Sequence, residues 1–199
     1  MYIFVFYWSA AMKSAHAYSA HVDHHDAADI PFGFIFATFM ASMMLGSFVF
    51  TYLSSISSTS SRASSVREFF SPSMLVALAN AGAAASILVT VLLRSEALTF
   101  WAFCFFETCI GIYFPAIGAQ RAMVVDDGVR ANIYGVLRIP LNIFVVAALT
   151  TTIEGDAHRD IVFVCCAGLL FMSCLASIYF LKEDRTIDRN CETADERLE

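Results

Sequence analysis

Residues 161–181 read IVFVCCAGLLFMSCLASIYFL and contain no charged side chain. At 1.5 Å of rise per residue, these 21 residues would form a helix of about 30 Å, which matches the hydrocarbon thickness of a bilayer. The stretch therefore predicts a helix that crosses a membrane, and the rest of the chain can be interpreted from it.

Four further stretches of 23 to 25 residues share this pattern. They are Ile30–Leu53, Phe69–Leu93, Ala97–Ala119 and Ala131–Ile153. Only two charges interrupt them, Glu107 in the third of these stretches and Arg138 in the fourth. Because lipid offers no hydrogen-bond partners, such spans are helices unless they form a closed barrel, whose strands would alternate in polarity. The sequence predicts an all-α polytopic membrane bundle with five complete transmembrane helices.

The composition of the 199 residues agrees with this prediction. Hydrophobic residues make up 58% and charged residues only 15% of the chain, whereas soluble domains carry about 25% charged residues. The net charge of −6 and the scattered 12 basic residues argue against a nucleic-acid partner. No phosphate loop, HExxH pattern or GxSxG elbow occurs, so we expect neither an enzyme nor a cofactor.

The chain divides by composition into four parts. Residues 1–12 are apolar but too short to span a bilayer, which indicates either a truncated transmembrane helix or a signal peptide without a basic start. Residues 13–29 form a loop rich in His and Asp, for which we expect no metal site because nothing predicts a fixed geometry. Residues 30–181 form the five-helix bundle, and residues 182–199 form a charged, partly disordered tail.

The basic residues predict an orientation. The connections 54–68 and 120–130, together with the tail, carry eight Lys or Arg residues, whereas the opposite connections carry three. Cytoplasmic segments of membrane proteins are enriched in Lys and Arg. We therefore expect a cytoplasmic C-terminus and a non-cytoplasmic 13–29 loop, with Arg121 and Arg130 at the cytoplasmic mouth of the bundle.

Several uncharged residues are typical of helix boundaries and helix packing. Ser71 followed by Pro72 predicts a helix start, while Pro115 and Pro140 fall inside spans. Asn80 lies among alanines, which favours an interhelical hydrogen bond over a ligand site. Ser42 and Gly46 form a small-residue pair of the same packing type.

The two charges within spans are the candidates for function. Glu107 lies about 15 Å and Arg138 about 10 Å into their spans by helix rise, so their depths are similar. Charged residues inside membranes are costly and are usually functional or paired. The sequence leaves two possibilities open. Either Glu107 and Arg138 form a pair that only joins two helices, or both charges face one cavity.

Arg138 belongs to a polar stripe. Tyr134, Arg138 and Asn142 are spaced by four residues and so lie on one face of a helix. A guanidinium forms charge-assisted, often bidentate hydrogen bonds to oxyanions. The stripe predicts an oxyanion-binding surface.

The sequence also resembles a known family. The motif residues are Ile3–Trp8, Pro31–Gly33, Leu45–Ser47, Glu107, Gly111, Tyr113–Pro115, Gly118, Arg121, Asn132, Arg138, Pro140 and Asn142. In this combination the chain resembles the molybdate-anion transporters of the major facilitator superfamily from the end of their seventh helix onward. Residues 124–128, VVDDG, depart from the family by lacking its usual Pro.

The resemblance implies the C-terminal six-helix half of a twelve-helix carrier, with residues 1–12 as the truncated first helix. It implies molybdate as substrate, Arg138 with Tyr134 and Asn142 as anion-binding residues, and Glu107 as a coupling or Arg-pairing carboxylate. It further implies a missing N-terminal half and a location in the plasma membrane. The alternative is a non-transporting membrane protein, an assembly partner or a remnant, in which Glu107 and Arg138 are only a structural pair.

Overall fold

The structure, a computed structural model, describes residues 2–23, 31–59, 71–93, 95–124, 128, 130–150 and 156–195. Within these ranges the chain forms six α-helices and no strand. The helices are α1 (Tyr2–Asp23), α2 (Phe32–Thr59), α3 (Pro72–Leu92), α4 (Glu96–Val124), α5 (Arg130–Thr150) and α6 (Asp156–Asp195).

Four helices contain stretches long and apolar enough to cross a membrane. They are Phe32–Ile56, Pro72–Leu92, Glu96–Ala122 and Asp160–Tyr179. The apolar stretch of α5, Tyr134–Ala147, is shorter than these four and includes the polar residues Arg138 and Asn142. The helical membrane bundle is confirmed, whereas the fifth complete span and the truncated first one stay predictions.

Two helices are longer than the sequence suggests. The first helix passes Met12 and continues to Asp23, so it covers much of the expected 13–29 loop. The last helix passes Leu181 and continues to Asp195, through most of the expected tail. No Gly or Pro occurs between residues 2 and 30 or after Gly168, so nothing in the backbone chemistry ends either helix early. The helix ends expected at Met12 and Leu181 are therefore corrected.

Aromatic side chains build the centre of the bundle. The ring of Phe4 on α1 lies 5.0 Å from Phe103 and 4.9 Å from Phe106 of α4, measured between centroids. Trp8 lies 5.4 Å from Phe39 of α2, nearly perpendicular to it. The Phe4–Phe103 and Trp8–Phe39 pairs are edge-to-face, a favoured aromatic geometry, whereas Phe4 and Phe106 are tilted by 34°. The apolar N-terminal segment thus belongs to the main core together with α2 and α4.

Contacts along α1 fix the direction of the neighbouring helices. Phe4 near the start of α1 meets Phe106 in the middle of α4, while His16 reaches Glu96 at the start of α4. The two helices are therefore antiparallel. Lys13 Nζ also lies 5.5 Å from the ring centroid of Phe32 at the start of α2. The second half of α1 therefore lies at the same end of the bundle as the starts of α2 and α4.

Glycines allow the closest helix contact. Gly46 of α2 and Gly111 of α4 are both buried and face each other. A Cβ on Gly46 would overlap the carbonyl oxygen of Thr108, and a Cβ on Gly111 would overlap that of Met43. Only residues without a side chain permit this approach. The packing role predicted for Gly46 is confirmed.

Polar residues hold α3 in place, as predicted. The Ser71 hydroxyl accepts a hydrogen bond from the Met74 amide at 3.3 Å, with Pro72 in the first turn, which is a standard N-cap. Asn80 is buried and donates from Nδ2 to the Ser173 hydroxyl of α6 at 3.0 Å. Asn80 is therefore an interhelical hydrogen-bonding residue, and that prediction is confirmed.

Candidate functional site

Glu107 lies in the middle of α4 and is 0% exposed. Among the described residues, neither of its carboxylate oxygens has a hydrogen-bond partner. Its neighbours on α4 are also buried, namely Phe103, Cys104, Phe106 and Ile110. Burying an ionised carboxylate without a partner is far more costly than burying the neutral acid. Such an intramembrane group is a functional candidate by default.

The face of α4 that carries Glu107 opens toward the end of the helix. Glu107, Gly111, Phe114, Gly118 and Arg121 follow one another by four or three residues and therefore share this face. The first two are buried, whereas the last three are exposed. A Cβ on Gly118 would meet no atom within 4 Å. The face thus runs from an enclosed carboxyl group to an open surface with a guanidinium.

Pro115 interrupts the hydrogen bonds of α4 beside this face. It lies inside the helix and has no amide proton, so the carbonyl of Gly111 loses its usual intrahelical donor. The hydroxyl of Ser47 on α2 donates to that carbonyl at 3.1 Å. A neighbouring helix therefore satisfies the freed carbonyl, as membrane helices that contain proline require.

The polar stripe of α5 lies largely on the outside of the bundle. Arg138 and Asn142 are exposed, and Tyr134 is half-buried. The guanidinium carbon of Arg121 lies 5.1 Å from the ring centroid of Tyr134, within cation–π range. The structure thus brings Arg121 to the predicted stripe. The side chain of Arg130 falls outside the described residues.

Glu107 and Arg138 do not form the expected pair. Among the described residues, Glu107 has no hydrogen-bond partner and Arg138 forms no ion pair. Both helices line a cavity of about 250 Å³ together with α1, α3 and α6. Its lining from α4 and α5 is Phe103, Phe106, Ile110, Leu141, Phe144 and Val145. Similar depth along the helix axes is therefore not contact: Glu107 is enclosed, whereas Arg138 is exposed.

The apolar cavity is not an oxyanion site. All of its lining side chains are apolar, including those from α1, α3 and α6. An oxyanion needs hydrogen-bond donors and positive charge, and these lie outside the cavity on the exposed stripe. The polar candidates are therefore separated into an enclosed acid on α4 and an exposed cationic surface formed by α5 and the end of α4.

Comparison with known proteins connects this arrangement to a transporter family. Residues 1–108 match the model of a major facilitator family described as sugar transporters with twelve transmembrane segments. The chain belongs to this family. It is also 26% identical over 148 residues to a protein named molybdate-anion transporter from Takifugu rubripes, which covers 72% of this chain. No solved structure matches the chain.

The protein is thus an integral membrane protein of the major facilitator superfamily, and its relatives are transporters rather than enzymes. The resemblance noted from the sequence is confirmed for the family. The chain spans 26% of the length of the Takifugu relative. The two descriptions name different substrates, and of the candidate residues only Glu107 falls within the matched range 1–108.

One polar contact of this facilitator chain was missed from its sequence. His16 lies on α1, and its Nδ1 is 2.8 Å from Oε2 of Glu96, the first residue of α4. The sequence carried one signal for this contact: no Gly or Pro follows Met12 before residue 31, which favours a helix that continues through His16. The side chains of the other histidines between residues 20 and 25 fall outside the described residues. In the described part, no group of three or more His, Cys, Asp or Glu could hold a metal ion.

Proposed function

We propose that the protein is a major facilitator carrier, or the C-terminal half of one, for a tetrahedral oxyanion such as molybdate. The observation that carries the proposal is the exposed guanidinium of Arg138 on an apolar helix, with Tyr134 and Asn142 one turn to either side. No described carboxylate forms an ion pair with it. A free guanidinium with neighbouring donors suits an oxyanion. The name of the Takifugu relative supports molybdate as the anion.

Uptake of radiolabelled molybdate into cells that express the complete carrier, this chain together with its N-terminal half, tests this role. Arg138→Lys keeps the positive charge but loses the planar fork, so we expect uptake to fall about tenfold or more while surface expression persists. Arg185→Lys on the tail of α6 is the matched control and leaves uptake unchanged. Unchanged uptake by Arg138→Lys would remove Arg138 from the anion site.

The exposed position of Arg138 further supports a missing partner. A charge at the centre of a membrane helix costs about 2.5–3.5 kcal/mol when it faces lipid, so protein or water must cover this face. We propose that a six-helix N-terminal half covers it. An antiserum against residues 182–199 then detects, in the native membrane, either a polypeptide well above 21.9 kDa or a stable complex. A 21.9 kDa polypeptide that transports alone contradicts this part of the proposal.

Glu107 is assigned the coupling role, since an enclosed carboxyl group without a partner can exchange a proton when its face opens. Glu107→Gln keeps the size and removes the titratable group. We expect this variant to bind molybdate but to lose the response of uptake to a pH gradient, with Glu183→Gln as the control. A wild-type response to the gradient in Glu107→Gln excludes the coupling role.

The alternative from a different class is a non-transporting membrane protein held together by a Glu107–Arg138 pair. That interpretation depends on a contact that the described residues do not form. It predicts that Arg138→Lys and Glu107→Gln both lower thermal stability in detergent and that the wild type moves no oxyanion. The carrier proposal predicts an unchanged thermal stability for both variants and oxyanion transport by the wild type.

We also propose a cytoplasmic C-terminus, on the charge bias of the connections. The location in the plasma membrane stays a prediction. An epitope placed after Glu199 is then reached by antibody only after the cells are permeabilised. Staining of intact cells contradicts this orientation.

A further inference from the structure

The end of α4 brings a second guanidinium to the predicted anion surface. Arg121 lies in the last turn of α4, and its guanidinium carbon is 5.1 Å from the ring centroid of Tyr134 on α5. Its charged group is therefore placed over the first residue of the stripe. Tyr134 precedes Arg138 by four residues, a rise of about 6 Å. The guanidinium of Arg121 thus contacts the ring of Tyr134, and Arg138 lies one turn further along the same face of α5.

The space around this tyrosine is open. A Cβ on Gly118, three residues before Arg121, would meet no atom within 4 Å, and the same holds for Gly135 beside Tyr134. Arg121 and Arg138 are both exposed, and among the described residues neither forms an ion pair. Two positive groups, one hydroxyl and unfilled volume therefore lie together, without a described acid to neutralise them.

We propose that Arg121 is a second anion-binding residue and selects doubly charged over singly charged tetrahedral oxyanions. This inference rests on the proposed carrier function. A dianion such as molybdate needs two positive charges for local neutrality, and Arg138 alone supplies one. The ring of Tyr134 positions the guanidinium of Arg121, and its hydroxyl stays available as a donor.

A purely structural role for Arg121 makes a different prediction. A basic residue in the last turn of a helix also interacts favourably with the helix dipole, and a cation–π contact packs two helix ends. Loss of that role would change all anion affinities by the same factor. Selectivity by charge at constant shape therefore distinguishes the two roles.

Perrhenate and molybdate provide this comparison, because both are tetrahedral and of similar size but carry one and two negative charges. The complete carrier, this chain together with its N-terminal half, is placed in lipid nanodiscs and equilibrated with each ion, and the bound metal is measured after dialysis. For Arg121→Gln we expect the dissociation constant for molybdate to rise about tenfold or more and that for perrhenate less than about threefold. Arg185→Gln, which removes one charge of the C-terminal segment, is the control and should leave both constants unchanged.

Variants of Tyr134 separate the ring from the hydroxyl. Tyr134→Leu removes the surface that holds Arg121 and should reproduce the loss of selectivity, whereas Tyr134→Phe should retain the preference for molybdate. Thermal unfolding in the same nanodiscs checks that each variant is folded.

Each remaining outcome overturns a defined claim. If Arg121→Gln weakens the binding of both ions equally, or changes neither dissociation constant, the proposed role of Arg121 is wrong. The affinity of the wild type for molybdate then still supports the anion site. A wild type that binds neither ion overturns the proposed function and this inference with it.

Discussion

Helices α4 and α5 carry the two charges of the membrane region, but α4 buries its charged residue and α5 exposes its own. α4 is packed among α1, α2 and α3, and its Glu107 is fully enclosed. α5 keeps most of its described side chains exposed, and its Arg138 faces outward. Depth along the helix axis, which the sequence suggests is similar, does not decide whether two charges meet.

The difference indicates a division of labour. Residues of α4 that pack the core should determine stability, whereas residues of the α5 stripe should determine anion binding with little effect on stability. The following substitutions test this division, beginning with the largest expected change.

Phe39→Ala should cost the most stability. Its ring is 0% exposed and packs against Trp8 and Phe103. Large-to-small changes of buried Phe cost about 3–5 kcal/mol, since a cavity remains. Phe34→Ala on the same helix is the control, because Phe34 is 81% exposed and should change stability by less than about 1 kcal/mol. Equilibrium unfolding in detergent measures both, and equal effects would contradict the assigned core.

Gly111→Ala should have an intermediate effect. The added Cβ would overlap the carbonyl oxygen of Met43, so α2 and α4 must separate, at a cost of about 1–3 kcal/mol. Gly118→Ala on the same helix is the matched control, since its Cβ would meet nothing within 4 Å. If the thermal midpoints of the two variants decrease by the same amount, the close crossing of α2 and α4 is wrong.

Asn80 and Asn142 form the finest test. Asn80 is buried and bonded to Ser173, whereas Asn142 is exposed. A double-mutant cycle of Asn80→Ala and Ser173→Ala should give a coupling of about 0.6 kcal/mol, the average for such bonds in membranes. Asn142→Ala should leave stability unchanged and weaken molybdate binding. If instead Asn142→Ala lowers stability and Asn80→Ala weakens molybdate binding, the assigned roles of the two residues are wrong.

Much of the fold was predictable from sequence because charge is absent over fixed lengths. Four of the five spans, the Ser71 cap and the packing roles of Gly46 and Asn80 follow from local patterns. The extensions of α1 and α6 were missed, although no helix breaker occurs in either segment. These features depend on residues close together in the chain.

The site was less predictable, because its contacts join distant residues. The spacing of Tyr134, Arg138 and Asn142 placed them on one face, but it could not show that Arg121 reaches Tyr134. Similar depth left a Glu107–Arg138 pair open, but Glu107 is enclosed whereas Arg138 is exposed. Lateral arrangement is set by helix packing, which a sequence pattern does not specify.

The most direct test measures binding and stability on one sample of Arg138→Lys in lipid nanodiscs. Equilibrium dialysis gives the dissociation constant for molybdate, and thermal unfolding gives the midpoint. Because Arg138 is exposed and forms no ion pair among the described residues, we predict about tenfold or greater loss of affinity at an unchanged midpoint. A lowered midpoint with unchanged affinity would contradict the account and make Arg138 a structural residue.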